Sequence, residues 1–400
     1  MYFETVTLKS GQTRWVAMAD GPADPVTGKR KQIARRGKTK KEAKLKVEKE
    51  IAKREDSGFS SRQLKSKTFD RMAEEWIATY ALSGKKRGSV RIREKDINVL
   101  NRSFAKVPID RITHSVYQKF INMLPERYSL NSIKSINGTA GMIFKYALRE
   151  QLIKHNPNDG VSIPKQIKTV EDIKKDPVEE KYLDHDELNL FFEALTNNAL
   201  ELDMERFYTL AFSGMRPGEL CALQKEDLDF QNNTISIYKT LYNENNNMKS
   251  YELNTPKTIG SIRTIEMEES VMKMLKSLVR SNDERKMRLR TKHDDFHDKD
   301  FVFCRPNGYP YVTKNVADRM ERLINMTNIT KHATPHIFRH THISMLTEAK
   351  VDLPTIMERV GHEDVATTMK VYTHVTKKMK KDAPAQVSNL HENIIKKISS

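Results

Sequence analysis

The chain has 400 residues, 38% of them hydrophobic, which is enough for two or three domains with packed cores. Its 70 lysines and arginines against 53 aspartates and glutamates give a net charge of +17, which favours a polyanionic partner such as nucleic acid, although charge alone leaves a basic protein without that role open. Two cysteines exclude a disulfide framework and a cysteine-based zinc cluster, and the lack of a signal peptide or a membrane-length apolar run predicts a cytoplasmic protein.

The N-terminal sixth of the chain is predicted to be a small basic domain. Residues 1–37 contain β-prone stretches separated by turn residues, and the capping-box pattern that begins at Thr39 predicts a helix ending near Ser57. Residues 1–66 hold 17 lysines and arginines against 8 acidic residues, which is more than half of the net charge. We therefore predict a basic domain of one β-sheet and one helix over residues 1–62.

The next segment is predicted to be entirely helical. Phe69, Met72 and Trp76 recur at helical spacing. Further amphipathic stretches cover residues 89–103, 113–123 and 130–151. A compact all-α bundle over residues 68–163 follows from this pattern.

The second half of the chain has a mixed pattern. A helix start is expected at Asp184, and residues 234–238 and 261–265 alternate like strands. We predict an interdomain linker over residues 164–182, a mixed α+β domain over residues 183–384 and a weakly amphipathic tail over residues 385–400. The fold class is therefore expected to be multidomain and mainly α, with small β-sheets.

Two motifs that suggest other chemistry fail on inspection. Gly37-Lys38-Thr39 matches the end of a phosphate-binding loop, but Gln32 stands where that loop requires its first glycine. His293 and His297 have the spacing of zinc ligands on a helix. They lie in a charged, loop-like stretch, which favours a solvated face over a metal site, and no metal is expected.

Four short motifs in the second half carry residues suited to phosphate chemistry. They are Ser213-Gly214-Met215-Arg216-Pro217-Gly218-Glu219-Leu220, Thr255-Pro256-Lys257-Thr258, Thr334-Pro335-His336-Ile337-Phe338-Arg339-His340, and Val360-Gly361-His362 followed by Tyr372-Thr373-His374. Each motif has a structural alternative when it is taken alone. The arginines could form surface ion pairs, Lys257 could be a turn residue, His336 could cap its helix and Tyr372 could belong to the core.

Taken together and in order, these residues resemble the signature of the tyrosine recombinases, the phage integrase family. That signature is an arginine, a lysine on a β-hairpin, a His-x-x-Arg pair, a histidine or tryptophan, and a tyrosine nucleophile. All six positions are filled in order across about 160 residues, by Arg216, Lys257, His336, Arg339, His362 and Tyr372. The resemblance also implies an N-terminal arm-binding domain, a helical core-binding domain and a mixed catalytic domain, which matches the boundaries predicted above.

The resemblance assigns a role to each residue of the set. Arg216 and Arg339 would bind non-bridging phosphate oxygens, with His362 as a further donor, because forked guanidinium groups neutralise charge that grows in the transition state. Tyr372 would attack phosphorus, His336 would assist removal of its proton, and Lys257 would protonate the leaving 5′ oxygen. Glu219 would orient an active-site group. No cofactor, metal ion or ATP is expected.

The resemblance further implies a homotetramer acting on core and arm sites of double-stranded DNA, with a host DNA-bending protein and an excisionase as expected partners. A segment around residues 385–397 is a candidate for docking on a neighbouring subunit. Candidate DNA contacts are the basic residues Lys29, Arg30, Lys31, Arg35, Arg36, Lys85, Lys86, Arg87, Arg91 and Arg93, each of which could equally be a solvated surface residue. Trp15 is expected in the core of the small domain.

Three alternatives stay open at this point. A chromosome-dimer resolvase or a topoisomerase would share the chemistry, but a resolvase typically lacks a basic N-terminal module. A DNA-binding regulator without catalysis has no need for the complete six-residue set.

Overall fold

The computed structural model describes residues 1–7, 12–23, 30–57, 67–164, 178, 181–256, 259–292, 295–361, 365–366, 368–376 and 379. It divides into two compact units, Met1–Ile167 and Lys168–Ser400. No helix of the described part combines the length and apolarity that a membrane crossing requires.

The N-terminal domain is a three-stranded antiparallel sheet with one helix against it. Its elements are β1 (Tyr2–Thr7), β2 (Thr13–Ala23), β3 (Arg30–Gly37) and α1 (Lys40–Ser57), and β2 is the central strand. Thr39 begins the helix as predicted, because its Oγ1 accepts a hydrogen bond from the backbone N–H of Glu42 at 3.2 Å. Ala17 and Ile33 of the sheet form a core with Val47 of α1, and Trp15 packs against that core, which confirms its expected place.

The helical bundle has an aromatic core. Its helices are α2 (Phe69–Leu82), α3 (Arg87–Phe104), α4 (His114–Met123) and α5 (Leu130–Arg149). The ring of Phe69 lies 5.9 Å from that of Phe104 and 5.9 Å from that of Phe144, so α2, α3 and α5 meet there. α3 begins two residues before the stretch predicted over residues 89–103, because Lys86 has an extended backbone as the N-cap and the helix follows at Arg87.

The C-terminal unit is mainly helical. Its described helices are α6 (His185–Asn198), α7 (Asp203–Ser213), α8 (Pro217–Ala222), α9 (Glu269–Leu289), α10 (Thr313–Ile324), α11 (Ile337–Glu348) and α12 (Leu353–Val360), and residues 368–376 are also helical. The predicted start at Asp184 is confirmed as a capping box, in which Asp184 and Glu187 each bind the backbone N–H of the other.

Two small sheets accompany these helices. One has the order β4 (Leu228–Asp229), β5 (Thr234–Ile237), β8 (Arg263–Glu266), and the other is a hairpin of β6 (Thr240–Asn243) and β7 (Tyr251–Asn254). The strands predicted at 234–238 and 261–265 correspond to β5 and β8, with their ends shifted by one or two residues. The hairpin was not predicted, because its strands are short and lack a regular apolar alternation.

Two apolar clusters in this unit hold the elements that carry the candidate site. The larger one includes Phe191, Phe207 and Phe338, whose rings meet at 5.1–5.9 Å and join α6, α7 and α11. The smaller one, called here the C-terminal cluster, consists of Tyr182, Ile343, Ile356, Val360, Val371 and Val375. It joins α11, α12 and the helical residues 368–376.

Candidate active site

The first arginine of the set is placed by a sharp turn between two helices. α7 ends at Ser213, and Gly214 follows with a left-handed φ of 61°. A Cβ at Gly214 would lie 2.7 Å from Cδ2 of His342, so this close approach requires glycine. Arg216 then has an extended backbone as the N-cap of α8, and Pro217 occupies the first helical turn.

Arg216 is anchored on one side and open on the other. Its backbone N–H and its Nη1 donate to the two carboxylate oxygens of Glu219 at 2.9 and 2.7 Å. Its Nη2 donates to the backbone oxygen of Gly361 at 3.3 Å. The Arg216 side chain is nevertheless 35% exposed, whereas that of Glu219 is 3% exposed. Glu219 and Gly361 therefore fix the orientation of the guanidinium, and part of the Arg216 side chain stays accessible to solvent.

Glu219 is shared by two arginines. Arg263 of β8 donates from Nη2 to Oε2 of Glu219 at 2.9 Å. Burial raises the pKa of Glu219, but Arg263 and Arg216 outweigh it and hold that pKa below its usual value. The carboxyl group is therefore an ionised, buried bridge between a partly exposed cation and a buried one.

Arg339 lies at the centre of the site and is completely buried. Its Nη1 donates to the backbone oxygen of Gly214 at 2.9 Å, and its Nη2 donates to the backbone oxygen of Val360. Burial lowers the pKa of this guanidinium and Arg216 lowers it further, yet an arginine stays protonated at neutral pH. Arg339 therefore joins the turn before α8 to the end of α12.

The histidines of α11 are held in their neutral form. His336 precedes α11, and its side chain makes no capping hydrogen bond, so the cap alternative for this residue is wrong. Burial lowers its pKa, and the charges of Arg339 and Arg216 lower it further. The ring of His340 lies 5.0 Å from the ring of His336 and perpendicular to it. The lowered pKa keeps His336 neutral at neutral pH, and the same two cations make it a weaker base.

Tyr372 lies on the helical residues 368–376 and is partly buried against the C-terminal cluster. Val360 belongs to that cluster, and its backbone oxygen accepts the hydrogen bond from Arg339. The same short stretch of chain, Val360-Gly361, thus contacts Arg216 and Arg339 and contributes to the surface against which Tyr372 packs.

Two residues of the predicted set, Lys257 and His362, lie outside the described residues. Lys257 stands in the sequence between β7 and β8, and His362 directly follows Gly361. Their places in the site stay predictions.

The sequence reasoning missed two arginines of this centre, Arg263 and Arg359. Arg263 donates from Nε to the backbone oxygen of Arg359 at 2.8 Å, and Arg359 donates from Nε to Nε2 of His342 at 3.0 Å. The sequence contained one indication of Arg263. It stands in the predicted strand two residues before Ile265, so both side chains face the same side of the strand, which is the buried side. A charged residue at an inward-facing strand position indicates a buried partner.

The candidate DNA contacts of the small domain divide between its two faces. Arg35 belongs to the face covered by α1 and pairs with Glu50 at 2.9 Å, so its charge is compensated. Arg36 is exposed on the opposite face, and Arg30 and Lys31 are exposed at the start of β3. Lys29 lies outside the described residues.

The candidates of the helical bundle differ in the same way. Lys85 and Arg87 are exposed, and Lys86 and Arg91 are partly buried. Arg93 instead donates to Oγ1 of Thr139 at 2.9 Å and pairs with the buried Asp96 at 3.4 Å. The guanidinium of Arg93 is therefore bonded to neighbouring groups of the bundle, and its side chain is 24% exposed.

Comparisons with known proteins agree with this architecture. The family model described as "Phage integrase family" matches residues 181–379, and the model described as "Arm DNA-binding domain" matches residues 7–54. The integrase of Staphylococcus phage L54a is 32% identical over 344 residues, which cover 83% of this chain and 95% of that protein. The chain belongs to the phage integrase family. Its enzyme class is that of the tyrosine recombinases, and the predicted activity, site-specific DNA recombination, is confirmed.

Other relatives extend the match to mobile elements and to solved structures. The ICEBs1 integrase of Bacillus subtilis is 28% identical over 377 residues, covering 92% of this chain and 95% of that protein. The Tn1549 transposon integrase in complex with transposon right end DNA shares the fold, with a TM-score of 0.62, 22% identity and coverage of 81% of this chain and 100% of that chain. A lambda integrase tetramer bound to a Holliday junction has a TM-score of 0.53 at 16% identity, with coverage of 92% and 94%.

Proposed function

We propose that this family member integrates and excises a phage or mobile element by cutting DNA with Tyr372. The main observation in support is a pair of hydrogen bonds to adjacent residues. Arg216 donates to the backbone oxygen of Gly361, and Arg339 donates to the backbone oxygen of Val360. Two separate motifs of the sequence contact adjacent residues there, and Val360 belongs to the cluster against which Tyr372 packs.

Arg216 would bind the scissile phosphate directly, whereas the fully buried Arg339 would act on it through its charge. Arg216 has an exposed edge that a phosphate oxygen can approach, while Glu219 fixes its orientation. Arg339 would supply buried positive charge behind it. A preorganised donor of this kind contributes about 3 kcal/mol of transition-state stabilisation in comparable sites.

The proton transfers would be divided between two residues. The phenolic oxygen of Tyr372 forms a bond to phosphorus while its proton passes to neutral His336. The bond from phosphorus to the 5′ oxygen breaks, and Lys257 donates a proton to that oxygen. The products are a 3′-phosphotyrosine and a free 5′ hydroxyl, with His362 as a further donor to the phosphate. Because the phosphotyrosine retains the bond energy, religation requires no ATP.

We further propose that the protein assembles as a homotetramer on two DNA duplexes, passes through a Holliday junction and acts in the cytoplasm. The lambda integrase tetramer bound to a Holliday junction supports this assembly through its shared fold. Residues 1–62 would bind arm sites through the exposed sheet face that carries Arg36, and residues 68–163 would bind the core site.

The decisive experiment is a covalent trapping assay. The protein is incubated with a nicked duplex that carries the attachment site of its element, so that the released 5′ end diffuses away and the adduct accumulates. Wild-type protein is expected to form a protein–DNA adduct, and Tyr372→Phe is expected to form none while still binding the duplex. Tyr208→Phe, at a tyrosine whose ring contacts those of Phe192 and Phe212, is the matched control and should retain the adduct. An adduct that survives in Tyr372→Phe would falsify the assignment of the nucleophile.

A further inference from the structure

Arg263 is a buried cation that joins two parts of the candidate site. We propose that Arg263 is a positioning residue for recombination, which fixes the guanidinium of Arg216 relative to the turn that ends at Gly361 and does not itself touch DNA. This inference rests on the proposed role of Arg216 as a phosphate ligand.

The side chain of Arg263 uses all three of its nitrogens inside the protein. Nη2 donates to Oε2 of Glu219 at 2.9 Å, Nη1 donates to the backbone oxygen of Ser261 at 3.1 Å, and Nε donates to the backbone oxygen of Arg359 at 2.8 Å. The side chain is 4% exposed, so it offers no surface to a substrate.

These contacts belong to a closed ring of hydrogen bonds. From Arg263 the ring passes through Glu219 to Arg216, whose Nη2 donates to the backbone oxygen of Gly361. Oγ of Ser261 donates to the same oxygen at 3.4 Å, and Ser261 leads back to Arg263. A closed ring restricts each member more strongly than an isolated pair, so loss of Arg263 would weaken the support that Glu219 and Gly361 give to Arg216.

Close packing adds a second constraint. Gly361 has a φ of 66°, and a Cβ placed on it would lie 3.0 Å from Nη1 and 3.2 Å from Cδ of Arg263. The backbone of the turn therefore rests directly on the arginine side chain. The position of this side chain sets the position of Gly361, the residue that precedes His362.

The geometry requires an arginine in particular. The three acceptors lie in three directions around a planar group, and a single ammonium cannot reach all of them. Without Arg263, the buried carboxylate of Glu219 would depend on Arg216 alone and would draw it from its place. In metal sites, substitutions of the groups that orient a ligand typically cost about 10–100-fold in metal affinity or activity, and we expect a loss of similar size here.

The test compares two scissile groups in single-turnover cleavage. One nicked attachment-site duplex has the natural phosphate, and the other has an uncharged methylphosphonate at the scissile position. Arg263→Gln is expected to cleave the natural duplex about 10–100-fold more slowly than wild type, with unchanged DNA affinity. On the methylphosphonate the deficit should shrink, because a misplaced guanidinium matters less when the charge is absent. Arg263→Lys should cleave the natural duplex at a rate between those of wild type and Arg263→Gln.

Arg319→Gln is the matched control. Arg319 is 11% exposed and pairs with the fully buried Asp203, which is the first residue of α7 and so lies at the far end of that helix from Gly214. This variant removes a comparable ion pair and is expected to lower the melting temperature while leaving the cleavage rate unchanged well below it. If Arg263→Gln does not fold, the same comparison is made with Arg263→Lys.

The outcomes separate this inference from the proposed function. Wild-type cleavage by Arg263→Gln, or an equal deficit on both duplexes, overturns the positioning role. Arg216→Gln is expected to lose cleavage of the natural duplex selectively. If Arg216→Gln cleaves the natural duplex at the wild-type rate, the proposed phosphate ligand is wrong, and the inference about Arg263 is overturned with it.

Discussion

At the scale of single residues, burial decides the state of the histidines around the arginines. Burial and the charge of Arg359 lower the pKa of His342 to about 3, and burial and His336 lower that of His340 to about 4. Arg359 donates from Nε to Nε2 of His342, which that nitrogen can accept only when it carries no proton. The fold therefore depends on neutral imidazoles.

This dependence predicts a loss of stability in mild acid. The unfolded pKa of histidine is about 6.5, so below that pH the unfolded chain binds a proton that folded His342 does not. The free energy of unfolding should then fall by about 1.4 kcal/mol per pH unit from this residue between pH ~6 and ~4. Urea denaturation across this range measures the fall.

His342→Gln provides the control, because its amide oxygen can accept from Arg359 but does not titrate. Its stability should fall less steeply with decreasing pH than that of wild type. Identical slopes would show that His342 is not the responsible group.

Gly214 makes a second residue-scale prediction. Its left-handed φ disfavours any side chain, and its contact with His342 leaves no room for a Cβ. Gly214→Ala should lower the free energy of unfolding by about 2–4 kcal/mol. Gly214→Asn tolerates the φ better but retains the clash. If Asn restores wild-type stability in chemical denaturation, backbone strain and not close packing explains the glycine.

At the scale of elements, the position of the helical residues 368–376, which carry Tyr372, depends on the segment just before α6. Tyr182 is 2% exposed and packs with Val371 and Val375, and its ring lies 6.1 Å from that of His374. The segment is fixed in turn by Lys331, whose Nζ donates to the backbone oxygen of Tyr182 at 3.0 Å. The helical residues 368–376 are therefore held in place by contacts within the C-terminal unit.

Truncation of Tyr182 tests this packing. Tyr182→Ala removes a buried ring and should lower the free energy of unfolding by about 3 kcal/mol. Leu200→Ala, at a side chain that is 59% exposed in the same unit, should change it by less than about 0.5 kcal/mol. If guanidinium denaturation showed equal losses of stability for Tyr182→Ala and Leu200→Ala, the described packing of Tyr182 against residues 368–376 would be contradicted.

The elements also show what sequence could and could not predict. Helix starts at Thr39 and Asp184 were predictable because capping depends on residues three apart. The ring around Arg263 was not, because three of its five hydrogen bonds join residues 44 to 145 positions apart. The order of the arginine motifs indicated their chemistry, but only folding brings Glu219 between two guanidiniums.

At the scale of the whole molecule, the uneven distribution of charge along the chain leads to a prediction about DNA binding. Residues 1–66 hold 17 of the 70 basic residues but 8 of the 53 acidic ones, so we expect a large share of the attraction to DNA to come from the N-terminal domain. Binding through six phosphates should weaken about 10³-fold between 50 and 200 mM salt. Deletion of residues 1–62 should reduce the slope of log affinity against log salt.

The same deletion should leave cleavage at the core site intact while recombination that needs arm sites is lost. Gel-shift titrations measure binding, and strand-exchange assays measure recombination. Normal integration by the truncated protein would contradict an arm-binding role for this domain.

The central claim is that Tyr372 forms the covalent link to DNA, and mapping of the trapped adduct tests it most directly. The adduct from the nicked duplex is digested with trypsin and nuclease, and the modified peptide is identified by mass spectrometry. We expect a nucleotide joined through its 3′ phosphate to the peptide that contains Tyr372. A link at another residue, or through a 5′ phosphate, would contradict it.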